Sequence, residues 1–183
     1  YIEQAIHLAR QHGLAIHLDG ARVFNAAIKQ CVTPATIGGC FDSVSACLSK
    51  GLGAPVGTVL CGSREFIEAA RRWRKVVGGG WRQAGILAAA GVYALKHNVD
   101  RLVEDHDKAR QLTEGLANID EIEVDQAAVQ TNMVFINLPE AAATTLSPFL
   151  RNNGIRKGKW KYLKAKHNVY DHVRVWKALP LAK

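Results

Sequence analysis

Three short runs of β-branched and small apolar residues stand out in the chain: LAIHLDGA (14–21), FDSVSACL (41–48) and VGTVLCG (56–62). Helical spacing surrounds them. Ile2, Ala5, Ile6 and Ala9 share one face before the first run, and Gly13 stops that helix. ARVFNAAIKQ follows the first run with a pattern that suits another helix. Beyond the third run, Ser63 is a good N-cap with Glu65 in the first turn, and Phe66, Ala70, Trp73 and Val77 form a helical stripe. Strands alternating with helices limit the fold to α/β, with a mostly parallel sheet expected.

The pattern continues to about residue 154. VVGGGWRQ breaks the helix that starts at Ser63, and QAGILAAAGVYALKHN reads as a nearly all-apolar helix, hence buried, closing near Asn98. Asp100 precedes a further helix whose apolar side is Leu102, Ala109, Leu112 and Leu116. IEVD, NMVFINL and a helix around Leu146 to Leu150 complete a small α/β unit that ends at Asn153-Gly154. The expected organisation is therefore residues 1–97 as part of a large domain, 98–154 as a small α/β domain, and 155–183 as a basic tail.

Charge supports that last boundary. The net charge of +8 is uneven: residues 1–150 hold 14 Lys/Arg against 15 Asp/Glu, whereas residues 151–183 hold 10 Lys/Arg against one acid. A basic end interleaved with Trp160 and Tyr162 could track phosphates and stack bases. A solvated basic end is the expected reading, because no nucleic-acid module accompanies it. No run of about 18 apolar residues exists, so no membrane span is expected. Cys31, Cys40, Cys47 and Cys61 form no C-x-x-C pair, and read as reduced core thiols of a cytosolic protein with no metal site. The chain opens on Tyr1 inside a helical pattern, which suggests that it continues upstream.

Three features carry chemistry. Asp19 ends a strand, where open α/β sheets bind ligands. Lys50 follows another strand and is flanked by Gly51 and Gly53. GGGWR lies between two helices, where bare backbone and a helix N-terminus favour an anion, with Lys75 and Arg82 on either side. Each has a plainer explanation alone: a turn, a surface lysine, an interhelix loop. Together, an acid, a lysine and an anion site match the needs of pyridoxal phosphate. The lysine would bind the cofactor covalently, the acid would pair with its ring nitrogen, and cations with backbone N–H groups would hold its phosphate.

HLDGARVFNA, LSKGLGAPVGTVLCGS and RKVVGGGWRQAGILAAAGVYAL together resemble the threonine aldolases, pyridoxal-phosphate enzymes of the aspartate aminotransferase fold. The likeness runs from about residue 1 to about 154. It implies the large, cofactor-binding domain of that fold followed by a small domain. It also implies retro-aldol cleavage of L-threonine or L-allo-threonine to glycine and acetaldehyde by a cytoplasmic homo-oligomer, a dimer or tetramer. By resemblance Lys50 is the catalytic, cofactor-linked lysine, and Asp19 binds the pyridine nitrogen. Arg22 reaches the phenolic oxygen or nearby groups, and Ser49 helps hold the phosphate. Lys75 and Arg82 contribute to the site, Arg82 across a subunit interface. His17 shares the strand face of Asp19 and is expected to be a packed strand histidine.

The resemblance stops after Ile155. There the family carries an arginine for the substrate carboxylate; Arg174 is the nearest residue and is not expected to serve. The family's upstream cofactor-binding region has no counterpart here, so a chain of this extent is expected to bind the cofactor poorly and could be inactive. The competing readings are another enzyme of this fold, serine hydroxymethyltransferase-like or β-eliminating, and a nucleic-acid-binding fragment acting through the tail.

Overall fold

A computed structural model of the 183-residue chain describes residues 1–120, 122–153 and 173–176. The expectations for 155–172 and 177–183, which cover most of the basic tail, lie outside the described residues. The chain divides into two compact units, Tyr1–Asp105 with Asp171–Lys183, and His106–Tyr170.

In the first unit, helix α1 (Ile2–Gln11) leads to strand β1 (Ala15–Gly20), helices α2 (Val23–Gln30) and α3 (Pro34–Gly38), and strand β2 (Ser43–Cys47). Strand β3 (Thr58–Gly62), α4 (Arg64–Val76) and α5 (Gly85–His97) follow, and α6 starts at Leu102. Gly13, at φ +62, makes the left-handed turn that leads from α1 into β1. Thr33 and Ser63 cap α3 and α4 through their hydroxyls, which accept from the N–H of Thr36 and Phe66.

The sheet runs β3-β2-β1-β6, with β6 formed by Val173–Trp176. Only β1 and β2 are parallel; β3 and β6 pair antiparallel to their neighbours. The α/β order is as expected, but the sheet is mixed rather than mostly parallel. The reason lies in the connection: residues 48–57 form a turn without a helix, and a parallel return needs a crossover of about a dozen residues or more.

Side-chain alternation divides the sheet into two faces. Ile16, Leu18, Val44 and Ala46 are buried with Ala9, Val23 and Phe41 as one core cluster. His17, Asp19, Ser45 and Cys47 are only half-covered and point the other way. A second cluster, Leu48, Leu52, Ala54, Ala94 and Leu102, anchors the turn after β2 and the inner side of α5. Asp42 ties the entry of both parallel strands together. Its carboxylate accepts from the Ile16 N–H at 2.6 Å and from Arg10 Nη1 at 2.9 and 3.0 Å, and its own N–H donates to the Ile16 carbonyl.

Two sequence expectations are corrected here. α5 is not buried: only Gly91 and Ala94 are, because this helix meets its own unit along one narrow line, where a Cβ on Gly91 would come within 3.0 Å of Leu48 Cδ1. The cysteines are not core thiols. Cys31, Cys40 and Cys61 are exposed and Cys47 is half-buried, because they fall on a helix end, a loop, the edge strand and the polar face.

In the second unit, α6 (Leu102–Leu116) buries Ala109 and Thr113, while Leu112 is exposed. The Thr113 hydroxyl is satisfied by donating to the Ala109 carbonyl at 2.8 Å. Strands β4 (Glu123–Val124) and β5 (Ile136–Asn137) pair antiparallel, and α7 (Glu140–Asn152) follows.

Ile16 is 1% exposed, so Ile16→Ala is expected to lower unfolding free energy by about 2–5 kcal/mol in a denaturant titration. Asp42 predicts an acid-side effect. Partial burial pushes its carboxyl up, but the Ile16 N–H and the Arg10 guanidinium outweigh this and hold it below its ordinary value. A carboxyl lowered by folding adds stability above its unfolded pKa of about 3.9, and that stability is lost as pH falls through the lower folded value. Asp42→Asn should therefore flatten the loss of stability below about pH 4, read from thermal midpoints across an acid series.

Candidate active site

The parallel pair places the chemistry. Asp19 lies opposite Ser45 and Gly20 opposite Ala46, so β1 and β2 end at the same edge of the sheet. Asp19 is the last side chain of β1, and its Oδ1 accepts from the Ala21 N–H at 3.3 Å, turning the chain toward α2. Gly20 is closely packed at this turn: a Cβ there would lie 3.0 Å from both the Ser45 carbonyl oxygen and Val44 Cγ1.

Lys50 is three residues beyond β2, in the turn rather than on the strand. That turn is built from buried anchors and permissive glycines. The Lys50 carbonyl accepts from Gly53 N–H at 2.9 Å, and the Leu48 carbonyl accepts from Ala54 N–H at 3.0 Å. Gly53 sits at φ +73, a conformation a Cβ would strain. Leu52 and Ala54 are buried, and Asn98 Nδ2 donates to the Leu52 carbonyl at 2.8 Å. Ser49 and Lys50 are left exposed above these anchors.

Arg22 is the N-cap residue of α2, three positions after Asp19. Its Nε is buried and has no hydrogen-bond partner among the described residues. A buried donor without an acceptor is costly, so this guanidinium is suited to an anionic group supplied from outside the described chain.

The polar face also holds Ser43 and Ser45, which sequence reasoning did not single out, and they pair with His17, which lies on the strand as expected. The two ring nitrogens of His17 lie 2.8 Å from Ser43 Oγ and 3.3 Å from Ser45 Oγ, so the imidazole bridges the two parallel strands in the manner of a structural histidine. Cys47 Sγ is 3.4 Å from Ser49 Oγ. Partial burial pushes the Cys47 thiol up, but hydrogen bonds from Ser49 and from Thr58, with the Lys50 positive charge, bring it below its ordinary value. The Lys50 charge is thus felt on the face that carries Asp19. The signal was present in the sequence: Ser43, Ser45 and Cys47 alternate with apolar residues, as do His17 and Asp19.

The glycine run has a different role from the one expected. Gly78 N–H donates to the Lys75 carbonyl at 3.1 Å, and Gly79 N–H to the Arg74 carbonyl at 2.7 Å, with Gly78 at φ +91. This is a Schellman closure of α4. The two amides serve the last carbonyls of the helix and are not free for an anion. Lys75 is in the last turn of α4 and Arg82 in the loop after it; both are exposed. Neither forms a hydrogen bond or ion pair with Asp19, Arg22, Ser49 or Lys50 among the described residues. Arg174 lies on β6 opposite His17.

Among the described residues there is no group of three or more His, Cys, Asp or Glu side chains placed to hold a metal ion. No helix among them is long and apolar enough to cross a membrane.

The family model described as beta-eliminating lyase matches residues 1–139. The low-specificity L-threonine aldolase 1 of Arabidopsis thaliana is 46% identical over 158 residues, covering 85% of this chain and 44% of that protein. The low specificity L-threonine aldolase of Escherichia coli K12 is 46% identical over 155 residues, covering 85% of this chain and 46% of that protein. A crystal structure from Exiguobacterium sp. 255-15, described as a candidate aromatic amino acid beta-eliminating lyase/threonine aldolase, superposes with a TM-score of 0.72 at 29% identity. It covers 82% of this chain and 42% of that one. The chain spans less than half the length of these relatives.

The depressed Cys47 thiol gives a direct test of the site's electrostatics. Alkylation of Cys47, followed by peptide mass analysis, should persist to lower pH than for an ordinary thiol, because the thiolate is the nucleophile. Lys50→Met should move the pH midpoint upward. An unchanged midpoint would place the lysine charge away from this face.

Proposed function

Because the chain belongs to the beta-eliminating lyase family, we propose that it is part of a pyridoxal-phosphate enzyme that cleaves L-threonine and L-allo-threonine to glycine and acetaldehyde. The observation that carries this reading is the parallel register that brings Asp19 and the Lys50 turn to one edge of the sheet. The 46% identity to two proteins named as low-specificity L-threonine aldolases favours carbon–carbon cleavage as the reaction.

The residues present fit the cofactor. The partnerless Arg22 Nε is a donor awaiting an anionic oxygen, Asp19 is an acid facing the same edge, and Lys50 is an exposed amine on a rigid turn. In this reading, Asp19 accepts the N–H of a protonated pyridine ring and keeps that proton in place. Lys50 is the covalent attachment point, and Arg22 holds the phenolic oxygen or a neighbouring carboxylate. Ser49 donates its hydroxyl to the phosphate. Lys75 and Arg82 add positive charge, Arg82 from a neighbouring subunit. When bound, the pyridoxal ring supplies a sink for the electron pair released as the Cα–Cβ bond breaks. The protein's part would be to orient the bound substrate and, through Asp19, to keep the ring nitrogen charged. The whole enzyme is proposed to be a cytoplasmic homo-oligomer that forms glycine in threonine breakdown.

The family description also supports a second reading, β-elimination from an aromatic amino acid. Products separate the two: an aldolase forms glycine and an aldehyde, whereas a β-eliminating lyase forms ammonia and a keto acid.

The site assignment is tested by labelling. The chain is mixed with pyridoxal phosphate, reduced with borohydride and digested. The pyridoxyl mass is expected on the peptide containing Lys50 and should be absent from Lys50→Arg. A label confined to Lys75, or spread evenly over surface lysines, would overturn the assignment of Lys50.

A further inference from the structure

The turn that carries Lys50 is seated on one narrow side of α5. Gly91, Ala94 and Asn98 recur at helical spacing, so they line that side of the helix and its C-cap. Gly91 makes room for Leu48, whose Cδ1 would lie 3.0 Å from a Cβ at that position. Ala94 packs in the buried cluster that holds Leu48, Leu52 and Ala54. Asn98 supplies the polar contact, its Nδ2 donating to the Leu52 carbonyl at 2.8 Å. The base of this side chain is itself fixed, because the Asn98 N–H donates to the Ala94 carbonyl at 2.9 Å.

The carbonyl that Asn98 holds has a direct connection to Lys50. The Leu52 C=O and the Gly53 N–H belong to one planar peptide unit. That N–H is the group that donates to the Lys50 carbonyl at 2.9 Å. Asn98 thus grips one end of a rigid plate whose other end grips the backbone of Lys50. Hydrogen bonds at both ends of one peptide also strengthen each other. The plate needs such a grip, because Gly53 beside it has φ +73 and the wide freedom of glycine.

We propose that Asn98 is a positioning residue for Lys50: its amide, acting through the Leu52–Gly53 peptide, fixes the base from which the lysine amine reaches its target. Apolar packing of Leu48, Leu52 and Ala54 holds the turn against the helix but leaves the peptide planes free to rotate. The directional bond from Asn98 removes that freedom. Loss of the amide is therefore expected to leave the fold intact and let the lysine wander. The importance of this for catalysis rests on the proposed role of Lys50, whereas the clamp itself is a property of the turn and needs no cofactor to be measured.

Cys47 provides the readout, since its thiol senses the Lys50 charge. Asn98→Ala and the near-isosteric Asn98→Leu are made in the 183-residue chain, each with Lys50 and with Lys50→Met, and checked for folding by circular dichroism. The pH midpoint of Cys47 alkylation is expected to move upward in the Asn98 variants, and more than half of that movement should vanish in the Lys50→Met background. A residue that merely supported the fold would move the midpoint equally in both backgrounds. No movement, or a movement of which half or more survives without Lys50, overturns the proposal. In parallel, the borohydride-trapped pyridoxyl label on Lys50, measured against exposed Lys29 in the same digest, is expected to fall about tenfold or more. If the parent chain takes no label on Lys50, the proposed cofactor role fails while the thiol midpoints still decide the clamp.

Discussion

The parallel pairing of β1 with β2 is the interaction on which the site depends. Parallel neighbours run in the same direction, so Asp19 at the end of one and the turn after the other reach the same edge of the sheet. The pairing is held at its start by Asp42, which binds the Ile16 N–H and Arg10 together. It is held along its length by Ile16, Leu18, Val44 and Ala46, which are buried on one side. A slip of one residue would send Asp19 and His17 into that core and bring Leu18 to the open face. Hydrophobic burial on one face thus determines where the polar chemistry on the other can be.

Rigidity around Lys50 has a similar origin. The lysine lies on a turn whose side chains are alternately sunk and free: Leu48, Leu52 and Ala54 are buried, Ser49 and Lys50 are not. Gly53 supplies the positive φ the turn needs, and Asn98 reaches from the end of α5 to hold the Leu52 carbonyl. A flexible four-carbon side chain placed on a fixed base has a limited range of positions for its amine. That is the condition the proposed role of Lys50 requires.

Electrostatics on the open face follow from the same packing. His17 is occupied by Ser43 and Ser45, and Cys47 is drawn toward the thiolate by hydrogen bonds from Ser49 and Thr58 and by the Lys50 charge. Arg22, with a buried Nε and nothing to donate to, is the one guanidinium of this edge with an unmet requirement among the described residues. A chain that retained such a donor without a ligand would bear a desolvation cost of about 1–3 kcal/mol. In the proposed site, an anionic group of the ligand would meet that requirement.

Much of this was legible in the residues alone. The alternation in AIHLDG and SVSAC assigns one face to the core and leaves the other polar, and Gly13 and Ser63 mark helix boundaries, because each is a property of a few contiguous residues. Other features depended on what lies across the fold. The antiparallel direction of β3 follows from a connection too short for a crossover. The role of Gly78 and Gly79 followed from which carbonyls α4 left open, not from their flexibility. The exposure of α5, and of the cysteines that composition placed inside, depended on how far the described chain extends around them. Local periodicity can state which side of a strand or helix is apolar. Only the tertiary structure decides what, if anything, covers it, because the covering surface comes from residues distant in the chain.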